Sequence, residues 1–242
     1  RKIFFKKRRK VYNSYSFSKN NIKMENNIHK IIDKKLIGNS NLLIKIEKKD
    51  KKFNAGQFFS IGVPDVPINR EYSVCNSAND DYIEFLIRYV EGGTLTPKLF
   101  ELKVGEYIKV LGAYGEFYLE NFDLNKKYLF IGTGSGIAPF LSIIKTHNLK
   151  NYTIMHGIRE LKDSIKELDA KNYELYLTRE KSNNSKNVFE GRITKYMKKK
   201  LENLDKNHLF FLCGNSLMVS EVHEMLILSN INSNQVFSEI FF

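Results

Sequence analysis

The sequence predicts a two-domain α+β protein, in which an N-terminal antiparallel β-barrel precedes a C-terminal α/β domain built on a parallel sheet. Its 242 residues are 42% hydrophobic, which supplies a core for one large or two medium domains. Across residues 28–120, short apolar runs alternate with polar or Gly/Pro turns, as is typical of antiparallel barrels. From Lys127 onward, similar runs alternate with helix-like stretches, which favours a parallel sheet.

Each element follows from this periodicity in chain order. The predicted barrel strands are 42–46, 57–61, 72–75, 82–90 and 107–111. The predicted strands of the second domain are 128–131, 152–155, 174–177 and 209–212, and its predicted helices are 137–146, 159–170, 193–201 and 217–228. A polar, turn-forming segment at 121–126 marks the border, so the two domains are expected at 24–122 and 123–242.

The net charge of +12 is concentrated at the start of the chain. Residues 1–23 hold nine of the 39 Lys and Arg residues and no acid, which leaves 30 basic against 27 acidic side chains in the remainder. We expect residues 1–23 to be a basic extension without regular structure. An upstream extension, an organelle-targeting peptide and an arm for an anionic surface all remain open interpretations.

Composition excludes several classes of protein. Cys75 and Cys213 are too few for a disulfide framework, a four-thiolate zinc site or an iron–sulfur cluster, and their scarcity favours a reducing, cytoplasmic compartment. The longest apolar stretch, 129–144, is interrupted by glycines and a proline, so no membrane span is expected. The five histidines lack metal-ligand spacing and hydrolase motifs are absent, so no metal is expected and redox chemistry would need a bound cofactor.

One loop carries the clearest chemical signal. Residues 129–139 combine a buried strand, a turn with three glycines and the start of a helix, whose N-terminal N–H groups favour an anion. The alternative interpretation is an ordinary tight turn. The spacing departs from the dinucleotide fingerprint G-x-G-x-x-G, because Ile137 stands at the third glycine position, and no Walker loop is present.

Five motifs occur in the order found in the ferredoxin–NADP reductase family. They are Arg-Glu-Tyr-Ser at 70–73, Gly-Gly-Thr-Leu-Thr at 92–96, the glycine turn at 132–139, Cys-Gly-Asn-Ser-Leu-Met at 213–218 and the terminal Glu-Ile-Phe-Phe at 239–242. A sixth segment, 53–58, is similar to the turn and strand A-G-Q-[FY] of that family. From about Ile28 to its last residue, the chain most resembles the bacterial ferredoxin/flavodoxin–NADP reductases.

The resemblance implies that FAD binds to the barrel. Arg70 would face the FAD pyrophosphate, Tyr72 the isoalloxazine and ribityl, and Ser73 the flavin N5. The implied FAD contacts are Arg70, Glu71, Tyr72, Ser73, Thr94, Leu95, Thr96, Ser135, Phe241 and Phe242. Thr94 and Thr96 are expected to cap a short helix. Phe241 and Phe242 stand where the family usually ends in Tyr or Trp, so which of them stacks on the flavin stays open.

The resemblance also implies an NADP(H) site on the second domain. Thr178 and Arg179 match the pair that holds the 2′-phosphate, which favours NADPH over NADH. The implied NADP(H) contacts are Thr133, Gly134, Arg159, Thr178, Arg179, Arg192, Gly214, Asn215 and Met218. Ser73, Cys213 and Glu239 are the expected catalytic residues, with Cys213 shaping the cavity and Glu239 managing protons.

The implied activity is that of an FAD-dependent oxidoreductase that moves electrons between NADP(H) and ferredoxin or flavodoxin, by hydride transfer between nicotinamide C4 and flavin N5. We expect a monomer with an acidic carrier as partner and no specific nucleic acid. Residues 195–200 are a candidate docking face, although a solvated helix end is the more straightforward explanation. Three alternatives stay open: a reductase component for an oxygenase or cytochrome, a basic nucleic-acid-binding module, and a flavin-bound protein without turnover.

Overall fold

A computed structural model describes residues 27–64, 66–119, 123–165, 172–182, 185–205 and 207–241. The predicted extension at 1–23 lies outside the described residues. Part of the predicted border does as well, because residues 120–122 are not described, so the boundary at 122 and 123 stays a prediction.

The first sheet contains six strands within the described residues, all of whose neighbours are antiparallel. Its strands are β1 (Ile28–Ile37), β2 (Asn41–Glu47), β3 (Phe58–Gly62), β4 (Asn69–Ser73), β5 (Tyr82–Arg88) and β6 (Tyr107–Tyr114). Their order is β4-β3-β6-β1-β2-β5, and a bridge between Val74 and Phe85 joins the two ends. Helix α1 (Thr96–Glu101) lies between β5 and β6 in the chain. This arrangement confirms the predicted antiparallel barrel.

The interior of the barrel is filled by alternating apolar side chains. Leu42, Ile44 and Ile46 of β2 are all almost fully buried in one cluster, together with Phe59 and Phe85. A spacing of two residues places successive side chains on opposite faces of a strand, so each strand contributes one row to this core. Burial of that row sets the register of the sheet.

The second sheet is parallel throughout its described strands. These are β7 (Tyr128–Thr133), β8 (Tyr152–Ile158), β9 (Tyr173–Leu177), β10 (Val188–Glu190), β11 (Leu209–Asn215) and β12 (Val236–Phe241), in the order β10-β9-β8-β7-β11-β12. The helices are α2 (Ala138–His147), α3 (Ile193–Glu202) and α4 (Ser216–Leu228). Apolar clusters cover both faces: Phe130 packs in one cluster, whereas Leu129 and Ile131 pack in the other. The predicted α/β domain is thereby confirmed.

Two details differ from the sequence prediction. The expected helix at 159–170 is replaced, over its described part, by a single 3₁₀ turn at Leu161–Asp163, and its remainder lies outside the described residues. Ile165 explains the difference, because its side chain is buried and its backbone N–H donates to the Tyr173 hydroxyl at 3.4 Å. Strands β1, β10 and β12 were not among the predicted strands, and each acquires its conformation by pairing with neighbouring strands.

Direct hydrogen bonds join the two domains. The Thr146 hydroxyl at the end of α2 accepts from the Ala78 N–H at 2.8 Å, and Lys145 donates to the Cys75 carbonyl at 3.3 Å. Further along the junction, the Asn41 amide donates to the Asp163 carboxylate at 3.3 Å. The first two contacts fix the barrel against the end of α2, and the third fixes it beyond the carboxyl end of β8, the edge of the sheet where the candidate site lies.

Candidate cofactor site at the domain junction

The glycine turn lies at the switch point of the parallel sheet. From β7 the chain continues to β8 on one side, and it later returns to β11 on the other side, so β7 and β11 are neighbours. Ligands of open α/β sheets bind at the carboxyl ends of the strands that flank such a point. The turn Gly134–Ile137 begins directly after β7.

The glycines of this segment have different functions. A methyl group on Gly136 would lie 2.4 Å from the carbonyl oxygen of Cys213, so this glycine lets the turn pack on β11. Gly134 has φ +54°, and among the described atoms a methyl there would meet the Arg88 Nη1 at 3.6 Å as its nearest neighbour. Only Gly134 of these two is therefore open towards the space between the domains. Gly136 instead makes room for the backbone of β11.

Thr133 and Asn215 connect the ends of β7 and β11. The Thr133 hydroxyl accepts from the Asn215 N–H at 2.9 Å. The Asn215 side chain in turn accepts from the backbone N–H groups of Leu217 and Met218 and caps α4. Gly214 has φ +127° and touches Thr133, where a methyl would approach the hydroxyl to 2.4 Å. These predicted cofactor residues are brought together, and their hydrogen bonds organise the switch point itself.

A cluster of three arginines lies beside the turn. The Arg179 N–H donates to the Arg159 carbonyl at 3.0 Å, which aligns the two residues just beyond β8 and β9. Arg88, the last residue of β5, joins them from the barrel: burial, and then the positive charge of Arg159, lowers its pKa. The charge of Asp163 raises the pKa of Arg88 and that of Arg179 lowers it further. Arg88 was missed from the sequence, where a basic side chain near the end of the predicted strand 82–90 was its sole signal.

Two other predicted NADP(H) residues, Thr178 and Arg192, have fewer contacts that tie them to the arginine cluster. The Thr178 hydroxyl donates to the Ile158 carbonyl at 3.3 Å, and its residue is exposed next to Arg179. Arg192 is exposed at the residue before α3, and its charge is not among those that act on Arg88. The role of Arg192 stays a prediction.

The three expected catalytic residues meet at the junction. Ser73 ends β4 of the barrel, while Cys213 and Glu239 are register partners on β11 and β12. The Ser73 hydroxyl lies 3.4 Å from Glu239 Oε2, and the Cys213 thiol lies 4.0 Å from the same oxygen. All three side chains are buried. A buried carboxylate beside a hydroxyl and a thiol has the composition of a site that holds or moves a proton.

Strand β4 is the predicted FAD strand, and its polar residues 70–73 follow one another along it. Burial raises the pKa of Tyr72 to about 12, and the charge of Arg70 acts in the opposite direction, so the guanidinium lies within electrostatic range of the hydroxyl. Arg70 is exposed and donates to the Asn69 carbonyl at 3.0 Å, and Glu71 is half-buried. The strand therefore offers an exposed cation and a half-buried phenol beside Ser73.

The segment before α1 differs from expectation. Helix α1 has Leu95 as its N-cap and no side-chain cap, so the expected caps by Thr94 and Thr96 are not formed. The Thr96 hydroxyl accepts from the Val90 N–H at 3.0 Å and is buried, while Leu95 packs in the barrel core. Thr94 is exposed. The side chains of Leu95 and Thr96 thus stabilise the loop, and a ligand would meet their backbone.

The remaining predicted contacts lie at the turn and the tail. Ser135 is half-buried in the glycine turn. Phe241 pairs with Asn215 at the end of β12 and packs against the core of the second domain. Phe242 lies outside the described residues, so which aromatic ring stacks on a flavin stays a prediction.

Comparisons with known proteins agree with this geometry. Residues 29–118 match the model of the oxidoreductase FAD-binding domain, and residues 130–224 match that of the oxidoreductase NAD-binding domain. The flavodoxin/ferredoxin–NADP reductase of Buchnera aphidicola subsp. Baizongia pistaciae is 32% identical over 202 residues, which are 72% of this chain and 79% of that protein. The phenol hydroxylase P5 protein of Acinetobacter pittii is 25% identical, over 78% of this chain and 58% of its own length.

The fold is shared with solved reductases. A ferredoxin NADP+ reductase from Neisseria gonorrhoeae, solved with bound FAD and NADP, superposes with a TM-score of 0.78 at 22% identity, covering 89% of this chain and 98% of that chain. Fold, site and matched domains together define an FAD- and NAD-binding oxidoreductase. Within that class, the chain belongs to the flavodoxin/ferredoxin–NADP reductase family.

No helix among the described residues has the length and apolarity needed to cross a membrane. No group of three or more His, Cys, Asp or Glu side chains in the same part of the chain is arranged to hold a metal ion.

Proposed function

We propose that this enzyme uses FAD to move electrons between NADP(H) and a one-electron carrier of the ferredoxin or flavodoxin type. The observation that carries the proposal is the meeting of Ser73 from the barrel with Cys213 and Glu239 from the parallel sheet. Each domain contributes part of one buried polar site, as expected when two cofactors react at the junction. The likeness to the Buchnera reductase supports the same activity.

The residues at the junction fit both cofactors. On the barrel, Arg70, Tyr72 and the backbone around Thr94 would hold FAD. Beside the glycine turn, the three guanidinium groups of Arg88, Arg159 and Arg179 suit a phosphate-bearing dinucleotide, because Asp163 offsets only part of their positive charge. The positive excess and the pair of Thr178 with Arg179 support NADPH rather than NADH.

Bound flavin supplies the chemistry of accepting a hydride and releasing electrons singly. The protein supplies position and protons. Ser73 would orient the reacting ring through its hydroxyl, and Glu239 would hold the proton that balances the transferred charge. The buried Cys213 thiol would keep water from the reacting face, which its burial and its contact with Glu239 support.

An acidic carrier is the proposed partner. Lys195, Lys198 and Lys199 are exposed on α3, and their charge would attract such a carrier. Lys200 is bound to Glu174 at 2.6 Å and contributes less. We further propose that the enzyme acts as a monomer in the cytoplasm, where the buried thiols of Cys75 and Cys213 would stay reduced.

The proposal is tested by following flavin bleaching in the purified protein under NADPH and under NADH. We expect a yellow protein that NADPH reduces faster, and a preference that falls about tenfold or more in Arg179→Glu, because one phosphate contact is lost and a like charge is introduced. Lys150→Glu is the matched control, since this exposed lysine precedes β8 at the opposite edge of the sheet.

Three outcomes would contradict the proposal in whole or in part. A protein that does not retain flavin would exclude the activity as a whole. Equal rates with both dinucleotides, unchanged in Arg179→Glu, would remove the NADPH assignment. Reduction of an oxygenase component in preference to ferredoxin and flavodoxin would favour the alternative that the phenol hydroxylase relative suggests.

A further inference from the structure

A buried polar chain lies directly behind the glycine turn. The His156 ring on β8 places Nε2 2.8 Å from the Gly134 carbonyl and Nδ1 2.6 Å from the Tyr173 hydroxyl. The same hydroxyl lies 3.4 Å from the backbone N–H of Ile165. His156 is 1% exposed and Tyr173 8%, and neither residue belongs to the motifs that predicted the cofactor sites.

The partners fix the direction of every hydrogen bond in this chain. A carbonyl oxygen only accepts, so His156 Nε2 carries the proton and donates to Gly134. In a neutral imidazole Nδ1 then accepts, and the Tyr173 O–H donates to it. The Tyr173 oxygen is left to accept from the Ile165 N–H. Burial lowers the pKa of His156 to about 4, which agrees with a neutral ring near pH 7.

This chain determines which way the peptide after Gly134 faces. A trans peptide directs its C=O and its N–H to opposite sides. Since the Gly134 carbonyl faces the buried His156, the N–H of Ser135 faces away from the core. Gly134 is open on that outer side, with the Arg88 guanidinium as its nearest described neighbour, and N–H groups at the start of a helical turn lack intrahelical acceptors.

We propose that His156 and Tyr173 are positioning residues for NADP(H) binding, which hold the Gly134–Ser135 peptide so that its N–H donates to the bound dinucleotide. The inference rests on the proposed function. Under this inference, His156 affects the affinity for NADP(H) although the histidine itself does not contact the cofactor. A purely structural role would change stability and leave the affinity for NADP+ unaltered.

Two substitutions of His156 separate these roles, because each retains one half of the ring's hydrogen bonds. The amide nitrogen of glutamine reaches the position of Nε2, so His156→Gln keeps the donor to Gly134. The shorter amide of asparagine occupies the position of Nδ1, so His156→Asn keeps the contact with Tyr173 and loses the donor to Gly134. Both variants place an amide in the same buried site.

The experiment is a calorimetric titration of the FAD-loaded enzyme with NADP+, together with the KM and kcat for NADPH. We expect the Kd to rise about tenfold in His156→Asn and to stay within about twofold of the wild type in His156→Gln, with kcat unchanged in both. Tyr173→Phe should raise the Kd by about threefold to tenfold, because Nδ1 loses its donor and the ring its orientation.

Tyr176→Phe is the matched control. It removes a hydroxyl from another largely buried tyrosine of β9, where that group donates to Glu174 at 2.7 Å, and we expect an unchanged Kd. Equal Kd values in His156→Asn and His156→Gln would overturn the inference, as would a wild-type Kd in Tyr173→Phe. The Tyr173 variant decides the question if either amide variant does not fold. Failure of the proposed function is distinct, because the wild type itself would then not be bleached by NADPH.

Discussion

The Ser73 hydroxyl lies 3.4 Å from Glu239 Oε2, although the two residues are separated by 166 positions in the chain. Ser73 ends β4, which is the first strand in the order of the antiparallel sheet, and Glu239 lies on β12, which is the last strand of the parallel sheet. The outermost strand of each sheet thus carries one member of the pair. The candidate reaction site is built where these two edges meet.

We expect Glu239→Gln to slow turnover about 100-fold, because the amide keeps the shape of the side chain and cannot accept the proton. The Kd for NADP+ should stay within about twofold, since β12, which carries Glu239, is separated from β8 by β7 and β11. Stopped-flow bleaching of the flavin and steady-state reduction of a one-electron acceptor measure the two half-reactions. Glu224→Gln on the exposed face of α4 is the control, and unchanged rates in Glu239→Gln would show that this carboxylate does not handle the proton.

Arg88 should contribute to dinucleotide binding although it belongs to the barrel. We expect Arg88→Gln to raise the Kd for NADP+ about tenfold, because a charge-assisted contact is lost, while FAD content is retained. Asp163→Asn should lower the Kd, since the carboxylate attracts the same guanidinium. Titrations at several salt concentrations measure both effects, and a Kd that moves in the same direction in both variants would contradict this electrostatic arrangement.

His156 makes a specific contribution to stability against acid. Its pKa in the folded protein is about 4 and the ordinary value is 6.5, so between these values the unfolded chain binds more protons. The contribution is present above about pH 6.5 and is lost as the pH falls towards 4. Between about pH 7 and about pH 5, this loss amounts to about 2 kcal/mol of the free energy of unfolding. Urea unfolding of the wild type and of His156→Gln at both pH values measures it. The variant should lose less stability on acidification, and an identical loss would refute the assignment.

Two glycines of the second domain should respond differently to a methyl group. In Gly136→Ala the new atom would lie 2.4 Å from the Cys213 carbonyl oxygen, so the turn must move off β11. We expect a loss of about 1–3 kcal/mol in the free energy of unfolding and weaker binding of NADP+. In Gly157→Ala the nearest atoms are side-chain carbons of Ile193 and Thr133 at 3.1 Å, which adjust more easily. Thermal unfolding of both variants measures the two losses of stability, and a smaller loss in Gly136→Ala than in Gly157→Ala would contradict the prediction.

Much of the architecture follows from local sequence features. Apolar residues have a period of two in strands and of about 3.6 in helices. The first half of the sequence shows strands alone and the second half shows strands alternating with helices, so this pattern predicts both sheets. The helices at 137–146, 193–201 and 217–228 are found within two residues of their predicted bounds. Over 159–165, the described part of the predicted helix at 159–170, the chain instead forms a 3₁₀ turn, because Ile165 and the Tyr173 hydroxyl hold that segment by contacts that no local pattern encodes.

The sequence by itself determined the two domains, the glycine turn and the chemical groups available for a reaction. The tertiary structure alone decided which of those groups meet: Ser73 with Glu239 across two sheets, Arg88 with the arginines of the other domain, and His156 with the back of the turn. The physical reason is one of range. Periodicity and turn chemistry act between residues close in the chain, whereas strand order and domain contacts bring together side chains that lie far apart in it.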